Sequence, residues 1–233
     1  MALKIIQGNI FTSHCQTIVN TVNCSGIMGA GIALECRFRW PQMFQAYVGL
    51  CQKKQMKIGL LWLYRASDRW ILNFPTKNHW KDPSKEEYLH LGLQKFMGTY
   101  EQKGIESVAF PLLGAQNGGL DQDISRQIME SYLRECIIPV EIYRYDPNAP
   151  DDLFLGVKDA LAGRTAAEIR EAVGLHTDQA EKVLDALQNP AICQLNRVAT
   201  VSGIGLKTVE KLFSFARNPA LKVPDAVQQP LTF

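Results

Sequence analysis

The sequence predicts an α/β fold of three layers, with a sheet between helices, followed by a small all-α C-terminal domain. Through the first 146 residues, short apolar runs alternate with amphipathic segments. Two of these runs lead directly into glycine-rich stretches, and a turn-rich break near residue 150 precedes a region with few strand signals. Alternating strands and helices are typical of a sheet covered by helices on both faces.

The domain begins with two predicted strands and a pair of helices. Leu3–Ile6 is short and apolar, and Thr17–Val22 is β-branched and apolar, which is typical of a buried strand. Ile32–Tyr47 carries apolar residues at helical spacing. Pro41 divides this segment into two helices, because proline disrupts a helix interior but fits a first turn.

The rest of the domain continues the alternation. Leu60–Tyr64 and Trp70–Phe74 are predicted strands, and Lys85–Gln102 is a long amphipathic helix that Gly104 closes. The remaining elements are predicted as a strand, a helix and a strand: Ser107–Leu112, Ile124–Arg134 and Val140–Tyr145.

Composition narrows the class of protein. The formal net charge is +2, which is too small to predict nucleic-acid binding over the whole surface. The start of the sequence has no signal-peptide pattern, and no segment has eighteen consecutive apolar residues. The six cysteines are irregularly spaced without a C-x-x-C pair, which indicates free thiols rather than a structural zinc site. We therefore expect a cytoplasmic monomer without a cofactor, bound metal or membrane partner.

Two glycine-rich loops are the candidate ligand-binding segments. Asn23–Gly31 and Gly114–Gly119 each follow a predicted strand and precede a helix. Glycine lets backbone N–H groups approach a ligand, and helix N-termini favour anions. Because both loops would lie at the carboxyl edge of the sheet, they could clamp a diphosphate from opposite sides. The alternative is that each glycine stretch only makes a turn.

Several segments together resemble the macrodomain family. They are Gly8-Asn9-Ile10, Ile18–Cys24 and Gly26–Ala33. Asn73–Trp80 and Pro111–Leu120 are similar to the branch that contains DarG-like DNA ADP-ribosyl glycohydrolases and terminal ADP-ribose protein glycohydrolases. The resemblance covers about residues 1–146 and implies a three-layer α/β/α macrodomain that binds ADP-ribose.

The resemblance also implies roles for individual residues. Asn9 replaces the usual aspartate that accepts a hydrogen bond from the adenine amine, and Asn23 would touch the distal ribose. Tyr145 either flanks the adenine or is a core or rim residue. The full set implied to bind ADP-ribose is Asn9, Ile10, Asn20, Asn23, Gly29, Ala30, Gly31, Ile32, Pro75, Thr76, Leu113, Gly114, Ala115, Gln116, Asn117, Gly118, Gly119, Leu120 and Tyr145.

Lys77 is the implied catalytic residue. The sequence places it in a loop after the strand Trp70–Phe74, where the alternative is a solvated surface lysine. A lysine amine can attack the anomeric carbon of the distal ribose, after which the adduct rearranges through a Schiff base and is hydrolysed. The amine must be neutral, and Phe74 and Trp80 are candidate apolar walls around it. Cys24 is interpreted as a packed thiol, and His79 as a residue that orients the loop.

One departure from the branch concerns the second loop. Terminal ADP-ribose glycohydrolases have an aspartate there that helps to resolve the lysine adduct, and alignment places Gly118 at that point. The nearest carboxylates are Asp121 and Asp123, which we interpret as stabilising the start of the next helix. The DarG type also lacks this carboxylate, so the departure favours DNA as the carrier of ADP-ribose.

The predicted domains are 1–149, the macrodomain, 150–218, a small helical domain, and 219–233, a flexible tail. Thr165 and Glu168 have capping-box spacing. Residues 198–209 are similar to a helix-hairpin-helix motif, in which Gly203, Gly205 and Lys207 would contact a DNA phosphate. The alternatives are a plain glycine turn and a docking surface for a cognate ADP-ribosyltransferase toxin. The net charge is −4 for residues 151–189 and +3 for residues 190–233, so the acidic part suits a partner protein and the basic part suits DNA.

The sequence therefore predicts a hydrolase that removes ADP-ribose from DNA through a lysine nucleophile, in an antitoxin-like or counter-defence role. Two alternatives remain: a hydrolase of glutamate-linked ADP-ribose on proteins, and a non-catalytic ADP-ribose reader.

Overall fold

A computed structural model describes residues 3–217. The chain forms two compact units, of which the first ends at Asp146 and the second begins at Pro147. This division lies three residues before the predicted one, which follows Ala149. The predicted tail, residues 219–233, lies outside the described residues.

Within residues 3–146, six strands form one sheet in the order β1-β6-β5-β2-β4-β3. Neighbouring strands are parallel except β3, which pairs antiparallel with β4. Five parallel strands therefore end at the same carboxyl edge, the edge at which open α/β sheets bind ligands. The strands are β1 Leu3–Gly8, β2 Thr17–Asn23, β3 Trp62–Arg65, β4 Trp70–Lys77, β5 Val108–Pro111 and β6 Val140–Tyr145.

Two hydrophobic clusters cover the two faces of the sheet. Ile18 and Val19 are adjacent on β2, yet they belong to different clusters, as expected when successive strand residues point to opposite faces. The cluster of Ile18 includes residues of helices α1 (Gly31–Arg39) and α2 (Pro41–Gln52). The cluster of Val19 includes residues of helices α3 (Glu86–Met97) and α4 (Gln122–Leu133). The predicted three-layer arrangement is confirmed.

The structure confirms the predicted start of one helix and corrects the predicted end of another. Pro41 lies in the first turn of α2, as predicted. The predicted end of α3 was wrong: the helix stops at Met97 and Gly98 caps it, rather than continuing to Gln102. Gly98 is poorly suited to a helix interior, and residues 98–104 form turns before Gly104, which has φ +72°.

In its described residues, 147–217, the second unit contains helices joined by turns and no strand. The capping box at Thr165 and Glu168 is present. A 3₁₀ helix spans Leu195–Thr200. The α-helices are α5 Phe154–Leu161, which was not predicted, α6 Ala166–Val173, α7 Thr177–Gln188 and α8 Leu206–Ala216. Across residues 3–217, every helix is too short or too polar to cross a bilayer.

Candidate active site at the carboxyl edge of the sheet

The carboxyl edge brings the predicted site residues into one row. Asn9 follows β1, Tyr145 ends β6, Asn23 ends β2 and Lys77 ends β4, while the second glycine loop follows β5. With neighbouring strands about 4.8 Å apart, the row from β1 to β4 is roughly 19 Å long. An extended ligand with a base at one end and a sugar at the other can lie along such a row.

The first glycine loop, residues 24–30, is organised by Asn23. The side-chain oxygen of Asn23 accepts from the Ser25 amide at 3.0 Å, and its Nδ2 donates to the Ile27 carbonyl at 2.6 Å. The Tyr47 hydroxyl donates to the Asn23 carbonyl at 2.6 Å. Burial raises the pKa of Tyr47, so this hydroxyl remains a donor at neutral pH. Asn23 thus shapes the loop, in addition to the ribose contact predicted for it.

Residues 29–31 form an exposed stretch where this loop enters α1. Met28 is only 1% exposed and anchors the preceding turn in the core. Gly29, Ala30 and Gly31 are exposed, and α1 begins at Gly31, which has the left-handed φ of +55°. An exposed backbone at a helix N-terminus can donate hydrogen bonds to an anion.

The second glycine loop, residues 112–120, turns back on itself. Gly114 and Gly119 have φ of +67° and +77°, and the Leu120 amide donates to the Gly114 carbonyl at 3.0 Å. Asp121 then caps α4, because its side chain accepts from the Asp123 and Ile124 amides at 2.8 and 3.0 Å. Its helix-start role is confirmed.

Gly118 lies where the loop leaves no room for a side chain. A Cβ on Gly118 would be 2.1 Å from the Gly114 carbonyl oxygen and 2.4 Å from Ser84 Oγ. Because the nearer of these atoms belongs to the backbone, it cannot move aside as a flexible side chain does. The conformation of the loop therefore excludes a carboxylate at residue 118, and Asp121 and Asp123 are engaged at the start of α4.

The two glycine loops approach each other. A Cβ on Gly31 would lie 2.5 Å from Asn117 Nδ2, so the start of α1 faces the tip of the second loop. Gln116, Asn117 and Gly119 are exposed there. The arrangement can place backbone N–H groups from both loops around a shared anion.

Lys77 joins the strand β4 to both loops. The predicted loop position was wrong, because β4 continues to Lys77, which pairs with Asn23 beyond a β-bulge. The Lys77 carbonyl accepts from the Cys24 amide at 3.1 Å, and Lys77 Nζ donates to the carbonyl of Asn117. Its backbone is therefore fixed by the first loop and its amine points to the second.

Three predicted residues lie elsewhere. Asn20 is fully buried, and its Nδ2 donates to Asn73 Oδ1 at 2.9 Å, so it stabilises the pairing of β2 with β4. Leu113 is a core residue whose carbonyl accepts from Ser125 Oγ at 2.7 Å. Phe74 is also fully buried and packs against Gly92 of α3, so it is not a wall of the lysine site. All three side chains point into the interior, and the ligand contacts of Asn20 and Leu113 stay predictions.

The end of the row next to β1 and β6 contains Asn9 and Tyr145. Asn9 is 3% exposed, and its Oδ1 accepts from the Phe11 amide at 3.1 Å. Its Nδ2 has no hydrogen-bond partner within residues 3–217. Tyr145 is 42% exposed and pairs with Gly8 across β6 and β1. Ile10 lies next to this end, and Pro75 and Thr76 are buried in β4 near Lys77.

Ser84 and Ser25, which were not predicted as site residues, connect the segment 77–84 to the two glycine loops. The Ser84 amide donates to the Gly118 carbonyl at 2.8 Å, and Ser25 Oγ accepts from the Trp80 amide at 3.3 Å. Serine in a polar segment gives no sequence signal for such contacts. Cys24 is a poor nucleophile, because burial raises the pKa of its thiol to about 11. Residues 3–217 contain no cluster of His, Cys, Asp and Glu able to hold a metal ion.

Comparisons with known proteins identify the family of the first unit. Residues 19–129 match the family model of the Macro domain. A Thermus aquaticus protein named DNA ADP-ribosyl glycohydrolase is 38% identical over 62% of this chain and 41% of its own length. A Mycobacterium tuberculosis protein of the same name is 32% identical over 91% of this chain and 57% of its own. The chain thus spans about half the length of these curated relatives.

Solved structures give the same result. The macrodomain of Mycobacterium tuberculosis DarG is 36% identical, with a TM-score of 0.59, and the match covers 61% of this chain and 97% of that one. The structure of Thermosipho africanus DarTG in complex with ADP-ribose is 34% identical, with a TM-score of 0.57, over 61% of this chain and 41% of that one. By sequence and by structure, the chain belongs to the macrodomain family.

Proposed function

We propose that this protein removes ADP-ribose from ADP-ribosylated DNA, with Lys77 as the nucleophile. The observation that carries the proposal is the position of the Lys77 amine, which lies against Asn117 where the two glycine loops approach each other. The names of the Thermus and Mycobacterium relatives support DNA as the carrier. The absence of room for a carboxylate at Gly118 supports the same choice.

The row of site residues suggests how ADP-ribose would bind. Its adenine would lie near Asn9 and Tyr145, and its diphosphate between Gly29–Gly31 and Gln116–Gly119. The distal ribose would then reach Lys77 at the end of β4. The backbone amides and the N-terminus of α1 would offset the charge of the diphosphate. Because most of these donors already face the site, binding would require only a small closure of the second loop.

The reaction would begin when the lone pair of the Lys77 amine attacks the anomeric carbon of the distal ribose. The bond from that carbon to the DNA base breaks, and its electrons leave with the base, which takes a proton from solvent. The attacking nitrogen gives one proton to solvent and the other to the ring oxygen as the bond between the anomeric carbon and the ring oxygen breaks, which leaves an imine on Lys77. Water then adds to the imine, the carbon–nitrogen bond breaks, and ADP-ribose leaves with the lysine regenerated.

Replacing the amine tests this mechanism. We expect Lys77→Ala to abolish release of ADP-ribose from modified DNA while leaving the Kd for ADP-ribose largely unchanged. Lys81→Ala is the matched control, because Lys81 is exposed four residues away and lies over the Trp80 ring. Borohydride should trap an adduct on the wild type and on Lys81→Ala. Full turnover by Lys77→Ala would refute the lysine mechanism.

The carrier is tested with two substrates. Wild-type protein is incubated with ADP-ribosylated DNA and with a peptide ADP-ribosylated on glutamate. Release from DNA is the expected result. Release only from the peptide would instead favour a protein-directed hydrolase, and binding of ADP-ribose without release from either would favour a reader.

The second unit contains two similar glycine turns, and their similarity supports the proposal that this unit engages DNA. Gly174 and Gly203 both have left-handed φ, of 73° and 82°, and each is followed by a buried aliphatic residue, Leu175 or Ile204. Each glycine is also followed eight residues later by a lysine that contacts the other turn. Lys211 donates to the Gly174 carbonyl, and the Lys182 side chain packs against Gly203.

The two copies differ in charge where an anion would bind. The first turn of α7 contains Asp178, whereas the corresponding residue of α8 is Lys207. The turn Gly203–Gly205 is therefore the better candidate for a DNA phosphate. We expect Lys207→Glu to weaken DNA binding and to lower the salt slope by roughly one. Lys158→Glu in α5 is the control, and equal loss in both variants would argue against a contact at α8.

The name of one relative suggests a biological setting for the removal of ADP-ribose from DNA. The Thermosipho relative is named as a fusion of a DNA ADP-ribosyl transferase with a DNA ADP-ribosyl glycohydrolase. We therefore propose an antitoxin-like role for a cytoplasmic monomer that reverses the action of a cognate transferase, and co-purification with such an enzyme would test it.

A further inference from the structure

Ser84 has a buried hydroxyl that no residue in the described part of the chain uses. The residue lies between β4 and α3 and is 5% exposed. Its Oγ has no hydrogen-bond partner among the described residues, 3–217. An alanine there would fill nearly the same space without burying an unpaired polar atom. Native proteins keep few such groups, so this hydroxyl requires an explanation.

The hydroxyl faces the backbone of the second glycine loop. A Cβ on Gly118 would lie 2.4 Å from Ser84 Oγ, and a Cβ on Gly114 would lie 3.1 Å from it. Ser84 therefore occupies the space that side chains at these two positions would need. Its own amide already donates to the Gly118 carbonyl at 2.8 Å.

The segment that contains Ser84 contacts both loops. At its start, the Lys77 amine donates to the Asn117 carbonyl, and the Asn78 carbonyl accepts from the Cys24 amide at 3.1 Å. In its middle, the Trp80 amide donates to Ser25 Oγ at 3.3 Å. Ser84 is the last of these contacts, and it reaches the part of the second loop that would cover a diphosphate.

We propose that Ser84 is a positioning residue for the diphosphate-binding loops. Its amide holds the Gly118 carbonyl at all times, and its hydroxyl forms a hydrogen bond with the backbone of residues 114–119 when that loop closes on the ligand. The unpaired hydroxyl destabilises the free state, and this penalty disappears in the bound state. Ser84 thereby increases affinity for ADP-ribose; this inference rests on the proposed function.

The test separates affinity from stability. Ser84→Ala is expected to raise the Kd for ADP-ribose about five- to tenfold, measured by calorimetry, a loss of one hydrogen bond made only in the complex. The melting temperature of the free variant should equal or exceed that of the wild type. Ser125→Ala is the control: Ser125 is fully buried, but its hydroxyl donates to the Leu113 carbonyl at 2.7 Å. This variant should melt at a lower temperature.

A second measurement follows the loop itself. Hydrogen exchange at the amides of Gly118 and Gly119 should slow when ADP-ribose binds to the wild type, and slow less in Ser84→Ala.

Each outcome has a distinct meaning. Wild-type protein that does not bind ADP-ribose overturns the proposed function. Wild-type binding matched by Ser84→Ala overturns only the role of Ser84. Loss of stability in free Ser84→Ala also overturns the role of Ser84, because the hydroxyl would then be satisfied without ligand. Hydrogen exchange at residues 118 and 119 that ADP-ribose leaves unchanged rules out closure of the second loop.

Discussion

Gly118→Ala should disrupt the second glycine loop more than Gly119→Ala or Gly29→Ala. Its Cβ would lie 2.1 Å from the Gly114 carbonyl oxygen, whereas real Cβ atoms essentially never come within 3.0 Å of another heavy atom. The loop must therefore open by at least about 1 Å, and the obstructing atom belongs to a carbonyl that accepts from Leu120. Overpacking of this kind costs roughly 1–3 kcal/mol.

Two other glycines provide matched comparisons. Gly119 has φ of +77°, but a Cβ there would meet no described atom within 4 Å, so Gly119→Ala carries only the left-handed penalty of about 1–2 kcal/mol. Gly29→Ala has neither problem, because its Cβ would lie 3.6 Å from Ile27. The expected order of destabilisation is Gly118, then Gly119, then Gly29.

Thermal unfolding and ADP-ribose titration measure both consequences. For a chain of this size, each kcal/mol corresponds to roughly 2–4 °C in Tm. Gly118→Ala should also lose measurable ADP-ribose affinity, because the opened loop no longer faces Gly31. Gly118→Ala with wild-type stability and affinity would refute the close packing on which this reasoning rests.

Further substitutions test other parts of the fold. Asp121→Ala should cost about 1 kcal/mol through loss of the α4 cap yet retain ADP-ribose release at low temperature; complete loss of release would indicate a catalytic carboxylate. Cys24→Ser should retain turnover, and alkylation of Cys24 should accelerate towards pH 11, because its thiol has a raised pKa of about 11; rapid alkylation at pH 7 would contradict the burial of this thiol. Gly92→Ala should destabilise the protein although alanine favours helices by about 1 kcal/mol, since its Cβ would lie 2.1 Å from Phe74 Cζ; a more stable variant in urea unfolding would show that Phe74 can move.

The sequence correctly predicted secondary-structure elements whose ends are marked by a few neighbouring residues. Pro41 marked the division between α1 and α2, and the spacing of Thr165 and Glu168 marked the start of α6. The bounds of β6, Val140–Tyr145, also agreed with the structure. The first two signals act over a few neighbouring residues, so they can be read without knowledge of the tertiary structure.

The sequence did not predict contacts that distant residues set. Asn20 matched a family segment, but only the structure shows that its amide pairs with Asn73 in the interior between β2 and β4. Lys77 was predicted to lie in a loop after the strand Trp70–Phe74, yet pairing with β2 extends β4 to this residue. The contact between Ser84 and Gly118 joins residues far apart in the chain, and neither residue type announces it.

By itself, the sequence determined the alternation of strands and helices, the two glycine loops and the lysine between them, because hydrophobic periodicity and backbone freedom are properties of short segments. Only the tertiary structure decided which of these residues meet at the carboxyl edge, why Gly118 excludes a side chain, and where the Lys77 amine points. These features depend on strand order and on contacts across the sheet, which arise only when the whole domain packs.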